Sequence, residues 1–139
     1  MREIRVRAKC IEEGEHRGQW ITGFGVHIFE GDEVEAQLYT TEGVIAVDPA
    51  TVGQYTGLQD DSEDQAELFS GDIAQVEYEG ETHTCKIEFF SGSFAFVADS
   101  LPDGYLYLSE LAEYDRDYGW VEGTIKVGNR WDTPMEVKA

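Results

Sequence analysis

Between residues 72 and 98, short β-strand patterns alternate with glycine turns, and this restricts the fold more than any other feature of the sequence. Residues 73–78, 82–90 and 94–98 are rich in β-branched and aromatic side chains. The connections at residues 79–81 and 91–93 each contain a glycine and have the length of a hairpin turn. The segment therefore predicts an antiparallel β-meander.

Further segments predict strands for similar reasons: residues 2–10, 20–29, 34–39, 44–47 and 120–127. The first alternates apolar and charged side chains, with Ile4, Val6, Ala8 and Cys10 on one face, as in a half-buried strand. Glycines at positions 23 and 25 predict a bulge or a close backbone approach in the second.

Only residues 106–114 favour a helix, with Ser109 as its N-cap. The predicted class is therefore mainly β: small barrel-like antiparallel sheets, of SH3-like or pseudo-barrel type, with one short helix.

A length of 139 residues predicts one domain, residues 1–139, and a short internal similarity leaves two β lobes, about 1–50 and 51–139, as an alternative. Residues 22–24 and 29–32 (TGF and FEGD) recur as residues 56–58 and 69–72 (TGL and FSGD). Glycine tolerates a positive φ, and an Asp carboxylate accepts a nearby backbone N–H, so both types suit tight turns. A structural turn role is predicted for Thr56, Gly57, Leu58, Asp60, Gly71 and Asp72.

The charge distribution disfavours several classes of partner. The formal net charge is −19, and residues 18–85 contain fifteen Asp or Glu and no Lys or Arg. Such a field repels phosphate backbones and anionic lipid surfaces, so we expect neither direct nucleic-acid binding nor membrane association. No apolar run has the length of a membrane span or a leader peptide, so we expect a soluble cytoplasmic protein.

The sequence contains no recognisable catalytic motif. Gly-x-Ser-x-Gly, P-loop and dinucleotide-binding patterns are absent. Cys10 and Cys85 form no CxxC pattern and predict buried free thiols, and His83 with Cys85 supplies too few ligands for a tetrahedral metal site. We therefore predict no catalytic residue, no cofactor and no enzymatic activity.

Residues 60–67 are acidic without apolar periodicity, which predicts a solvated loop. Asp60, Asp61 and Asp64, with Asp72 from the following turn, are the candidates for binding a hard cation such as Ca²⁺ or Mg²⁺. The loop lacks the glycine and the ligand order of an EF-hand, so a solvated acidic loop is the favoured interpretation. A metal-dependent enzyme is the alternative.

Two motifs in register give the chain a family resemblance. Residues 52–60, VGQYTGLQD, resemble the "QYTGLKD" signature of the YopX family of phage and prophage proteins, and residues 68–73, LFSGDI, are similar to its "IYEGDIV". Residues 2–8 and 121–129 resemble its opening strand and its closing "VIGNIYEN", whereas the loop at residues 60–67 lacks the glycine of the family's "DKNG" hairpin. The resemblance implies a mainly β fold and a phage or prophage protein in the bacterial cytoplasm, and it supplies no catalytic residues.

Two non-enzymatic functions fit these patterns. The aromatic residues exceed what one small core readily buries, and those outside a core are favoured interface anchors: Tyr55, Phe69, Tyr78, Phe89, Phe90, Phe94, Phe96, Tyr105, Tyr107, Tyr114, Tyr118, Trp120 and Trp131. This favours a protein-interaction or assembly module, whose partner is a second copy of the chain or an unknown host or phage protein. The alternative is an acidic DNA mimic that occupies a host DNA-binding protein or nuclease. A continuous carboxylate stripe would favour the mimic, and acids scattered around an apolar patch would favour the module.

Overall fold

The structure is a computed structural model that describes residues 5–116 and 118–132. The described residues form fourteen short strands and two single-turn 3-10 helices. The mainly β class is thereby confirmed, although the described strands form open sheets and no closed barrel. The chain divides into two compact units, unit 1 (Met1–Tyr55) and unit 2 (Thr56–Ala139).

Unit 1 contains five complete strands and the start of a sixth: β1 (Val6–Lys9), β2 (Trp20–Gly23), β3 (Gly25–Glu30), β4 (Val34–Thr40), β5 (Gly43–Val47) and β6 (Gly53–Gln59). A 3-10 turn, Pro49–Thr51, precedes β6. Strand β1 pairs antiparallel with β2 and with the start of β6, while β3, β4 and β5 form a three-stranded antiparallel sheet. The predicted hairpin of residues 34–47 is β4–β5, and residues 2–4 of the predicted first strand lie outside the described residues.

The core of unit 1 consists of small and branched side chains: Val6, Ala8, Ala36, Leu38 and Val47. Gly23 ends β2 where a Cβ atom would collide with the carbonyl oxygen of Tyr39. The neighbouring Phe24 N–H donates to that same oxygen over 2.9 Å. The glycine therefore marks the close backbone approach that its position in the strand predicts.

Unit 2 contains the end of β6 and eight further strands: β7 (Glu67–Phe69), β8 (Asp72–Tyr78), β9 (Glu81–Phe90), β10 (Ser93–Val97), β11 (Tyr105–Tyr107), β12 (Ala112–Tyr114), β13 (Gly119–Val121) and β14 (Thr124–Asn129). Five of them form an antiparallel sheet in the order β11-β10-β9-β8-β14, and the predicted meander is β8–β9–β10. The end of β6 pairs with β7 and, in parallel, with β13, which pairs with β12.

The predicted short helix at residues 106–114 is present only as a single 3-10 turn. The segment comprises the end of β11, a 3-10 turn at Leu108–Glu110, and β12, and the residue that caps the turn is Tyr107, not Ser109. Leu106 and Leu108 are both buried in the core of unit 2. Their spacing of two residues is the strand period, which here outweighs the helical spacing of the weaker apolar residues that follow.

The two copies of the internal similarity adopt different conformations. Gly57 and Gly71 have φ angles of 87° and 92°, whereas neither Gly23 nor Gly31 has a positive φ. Asp72 is fully buried, while its counterpart at position 32 is exposed. The sequence similarity is therefore not accompanied by a common turn.

No helix among the described residues combines the length and the apolar character needed to cross a membrane. Both helical elements are single 3-10 turns of three residues.

Candidate functional site

Asp60 follows β6 directly and is only 2 % exposed. Its Oδ1 accepts hydrogen bonds from the Ser62 N–H at 3.1 Å, the Ser62 hydroxyl at 2.6 Å and the Ala66 N–H at 3.0 Å. Its Oδ2 accepts from the Lys126 N–H at 2.9 Å, in β14. One carboxylate thus closes the acidic loop and fastens it to a strand that is 66 residues away in sequence.

Burial and hydrogen bonding act in opposite directions on the pKa of Asp60. Burial raises the pKa, and the hydrogen bonds from the Ser62 hydroxyl and from the N–H groups of Lys126, Ser62 and Ala66 lower it. The net result is a pKa below the ordinary 3.8, so the group is ionised at neutral pH. The donors around it take the place of the water that a buried carboxylate has lost.

Asp72, the first residue of β8, is 0 % exposed. Its Oδ2 accepts from the Phe69 N–H at 2.7 Å and lies 3.3 Å from Nζ of Lys126. The same ammonium group donates to the carbonyl oxygen of Glu67 at 3.3 Å. Lys126 therefore binds both signature aspartates, Asp60 through its backbone N–H and Asp72 through its side chain.

Asp61 continues the contact between the acidic loop and β14. Its N–H donates to the carbonyl oxygen of Thr124 at 2.8 Å, and its Oδ2 accepts from the Gly123 N–H at 2.9 Å. Strand β14 ends the five-stranded sheet, so these groups belong to an outer edge. Asp60 and Asp61 thus satisfy backbone groups that an edge strand would otherwise expose to pairing with another chain.

The four candidate metal ligands do not converge on one site. Asp60, Asp61 and Asp72 all surround β14, but the hydrogen bonds above engage them with backbone and lysine donors, and Asp64 is exposed. Within residues 5–116 and 118–132, no group of three or more His, Cys, Asp or Glu residues has a metal-binding arrangement. The acidic loop therefore caps a strand, and its residues Glu63 and Asp64 are exposed to solvent.

Gly57 and Gly71 both adopt a positive φ, which favours glycine at each position. Gly57 lies between Thr56, whose Oγ1 accepts the Leu58 N–H at 3.1 Å, and the buried Leu58. At Gly71, an added Cβ would collide with the indole ring of Trp131. Both positions shape the backbone of unit 2 and present no reactive group.

Both cysteines and one histidine, His83, are also buried. Cys10 and Cys85 are buried free thiols, as the sequence predicts. Burial raises the pKa of Cys85 to about 12, which keeps the thiol protonated and a poor nucleophile or metal ligand. His83 Nδ1 lies 2.9 Å from the Ser100 hydroxyl, with which it shares a hydrogen bond.

In unit 1, the β3-β4-β5 sheet exposes apolar side chains on both of its faces, and these side chains together are called the apolar surface. Among the described residues of unit 1, the large apolar side chains that are exposed, apart from that of Ile11, all lie in or beside this sheet: Phe24, Ile28, Phe29, Val34 and Val44. The Phe29 ring stacks on His27 with ring centroids 4.1 Å apart. The side chain of Phe24 is 57 % exposed.

Phe24 and Phe29 are not among the interface anchors that the sequence predicts. A signal was present, because neighbouring residues of a strand point to opposite faces. Ile28 and Phe29 are adjacent, so a single core cannot bury both. The predicted anchors of unit 2 are divided: Phe94 and Phe96 are buried, whereas Phe89 and Tyr114 are exposed.

Comparison with known proteins identifies no relative of this chain. No family model matches the chain, and no curated protein and no solved structure is significantly similar to it.

Proposed function

We propose that the protein is a non-enzymatic protein-interaction module of phage or prophage origin that acts in the bacterial cytoplasm. One observation carries the proposal: in unit 1, the exposed large apolar side chains other than that of Ile11 lie in and beside the β3-β4-β5 sheet. Large apolar residues that remain in water across one small sheet are typical of interaction sites, because partner binding removes their area from water.

The position of the acidic residues supports a module over a DNA mimic. The exposed acids of the β3–β4 hairpin lie beside the apolar residues: Glu30 is the cross-strand partner of Val34, and Glu35 is that of Phe29. Asp60 and Asp72 are buried and engaged inside unit 2, so neither offers its charge to a DNA-binding partner. Acids placed around apolar side chains match the rim of a protein interface.

The resemblance to the YopX family supplies the phage setting of this proposal. Its two central motifs contain Asp60 and Asp72, which stabilise unit 2 through Lys126. The apolar surface lies in unit 1, outside those motifs. We infer that the shared motifs maintain a scaffold and that the sheet of unit 1 determines the partner.

Affinity capture from bacterial lysate with matched surface variants tests the proposal. The double substitution Phe24→Ser and Phe29→Ser removes the two exposed rings from the unit 1 sheet. The control Phe89→Ser removes an exposed ring of unit 2 that is 58 % exposed. We expect a specific partner, identified by mass spectrometry, that the wild type and the control retain and the double variant loses.

Two results would contradict the proposal. Equal capture by all three proteins would show that the apolar surface is not used. Capture of a nuclease or DNA-binding protein by all three, with release by duplex DNA, would instead support the acidic mimic. Circular dichroism of each variant would verify that it is folded.

A further inference from the structure

We propose that the outer edge of β3 binds an extended, basic segment of another protein as an additional antiparallel or parallel β-strand. This inference rests on the proposed function and specifies the chemistry of the partner.

The hydrogen-bond alternation of the sheet determines which backbone groups face outward. Thr40 and Gly43 flank the two-residue turn between β4 and β5, so their backbone groups point towards each other. Because this direction alternates along β4, the backbone N–H and C=O groups of Tyr39 point towards β3, and those of Leu38 point towards β5. The hydrogen bond that the Phe24 N–H donates to the Tyr39 carbonyl oxygen agrees with this direction for Tyr39.

The same alternation applies along β3. Gly25 and His27 stand opposite Tyr39 and Gln37, so their N–H and C=O groups bond to β4. The N–H and C=O groups of Val26 and Ile28, together with those of Glu30, consequently point away from β4. Among the described residues no strand pairs with this side of β3, whose last four residues are all exposed.

The opposite edge of the same sheet is covered. The Ile11 N–H donates to the Ala46 carbonyl oxygen at 3.1 Å, and the Ala46 N–H donates to Oε2 of Glu12 at 2.8 Å. Cys10 forms a bridge to Val47. In unit 2, Asp60 and Asp61 cover the edge of β14 in the same manner, with a carboxylate on a backbone N–H.

Strand β3 lacks the usual protection of an edge. Its six residues, GVHIFE, include no lysine and no proline. Ile28 and Phe29 are 44 % and 39 % exposed, one on each face of the strand. A strand of this length with apolar side chains is a template for β-augmentation, in which backbone hydrogen bonds give affinity and side-chain contacts give selectivity.

The acidic residues around the edge of β3 favour a basic partner segment. The β3–β4 hairpin carries the exposed acids Glu30, Asp32, Glu33 and Glu35, and residues 18–85 contain no Lys or Arg. A second copy of this chain would bring another formal charge of −19 to the same edge. A segment that alternates Lys or Arg with β-branched residues instead complements the acids and pairs with the exposed apolar side chains.

The test uses a synthetic peptide of alternating Lys and Val, labelled with a fluorophore, and a peptide with Glu in place of Lys. The variant Ile28→Pro removes one outward N–H, and proline is tolerated at such an edge position because that N–H makes no ladder bond. The matched variant Ile28→Ala shortens the same side chain and retains the N–H. Binding is measured by fluorescence anisotropy at low and at moderate salt, and amide NMR spectra verify the fold of each variant.

We expect the Lys peptide to bind, the Glu peptide not to bind, and affinity to fall by about tenfold or more in Ile28→Pro but only about threefold in Ile28→Ala. The inference is overturned if the Lys peptide does not bind or if both variants bind it equally. It is also overturned if the edge of β3 is occupied by a second copy of the chain, in a dimer that Ile28→Pro dissociates. Loss of lysate capture in the Phe24 and Phe29 double variant but not in Ile28→Pro would leave the proposed function standing and reject the strand addition. Equal lysate capture by all the variants would reject the proposed function itself.

Discussion

Replacing Asp60 by Asn isolates the contribution of one buried carboxylate to the stability of unit 2. The carboxylate accepts from four donors, with three on Oδ1 and one on Oδ2. An amide keeps one acceptor oxygen and turns an NH₂ group towards at least one backbone N–H. A hydrogen bond to a charged group contributes about 1.5–3 kcal/mol, and a buried donor without an acceptor costs about 1–3 kcal/mol, so we expect destabilisation of about 2–5 kcal/mol at pH 7.

The pH dependence of this loss gives a second, independent test. The pKa of Asp60 is lower in the folded protein than the ordinary 3.8. Its charge therefore stabilises the fold fully above that value, and the stabilisation is lost as the pH falls through the lower folded pKa. The difference between wild type and Asp60→Asn should be constant from neutral pH to about pH 5 and should shrink below about pH 4.

Urea unfolding followed by tryptophan fluorescence measures both effects. The matched control is Asp64→Asn, because Asp64 is an exposed acid of the same loop. We expect the control to change the free energy of unfolding by less than about 0.5 kcal/mol. Equal stability of the two variants, or an Asp60→Asn loss that persists below the folded pKa, would refute the assigned role of the carboxylate.

Two further predictions concern the interior of unit 2. Gly71→Ala should destabilise the protein by at least about 1 kcal/mol more than Gly80→Ala, because both glycines have a positive φ but only at Gly71 would the added Cβ clash with Trp131. Urea unfolding of the two variants measures the difference, and equal losses of stability would contradict the prediction. Since burial raises the pKa of Cys85 to about 12, alkylation of this thiol in the folded protein should not accelerate between pH 7 and pH 9, whereas alkylation of the urea-unfolded chain should. Intact-mass spectrometry measures both rates, and a marked acceleration in the folded protein would contradict the prediction by showing an accessible thiolate.

The parts of the fold that the sequence predicts are those with local determinants. The β8–β9–β10 meander combines the strand period with glycine turns, and all of this information lies within one continuous segment. Strands β7, β11, β12 and β13 have three residues each, too few to establish a period. In β6, Gly57 adopts a left-handed φ within the strand and interrupts the regular pattern.

The role of the acidic loop could not be predicted from its composition. Asp60, Asp61 and Asp64 are equivalent by residue type, yet the structure buries the first, uses the second on Gly123 and leaves the third in solvent. The difference depends on Lys126, a distant residue whose strand is placed by its pairing with β8. Such a contact is a product of tertiary packing, and no local pattern encodes it.

The acidic surface around β3 also determines which covalent chemistry can report on it. Residues 18–85 provide no lysine amine and no site for trypsin, so amine-to-amine cross-linkers cannot react with this edge and tryptic digestion leaves it within one long peptide. A reagent that couples amines to carboxylates would join a partner's lysine to Glu30 or Glu35, and the direction of the link would identify which protein supplied each strand. Digestion at glutamate would then divide the region into peptides short enough to locate the link.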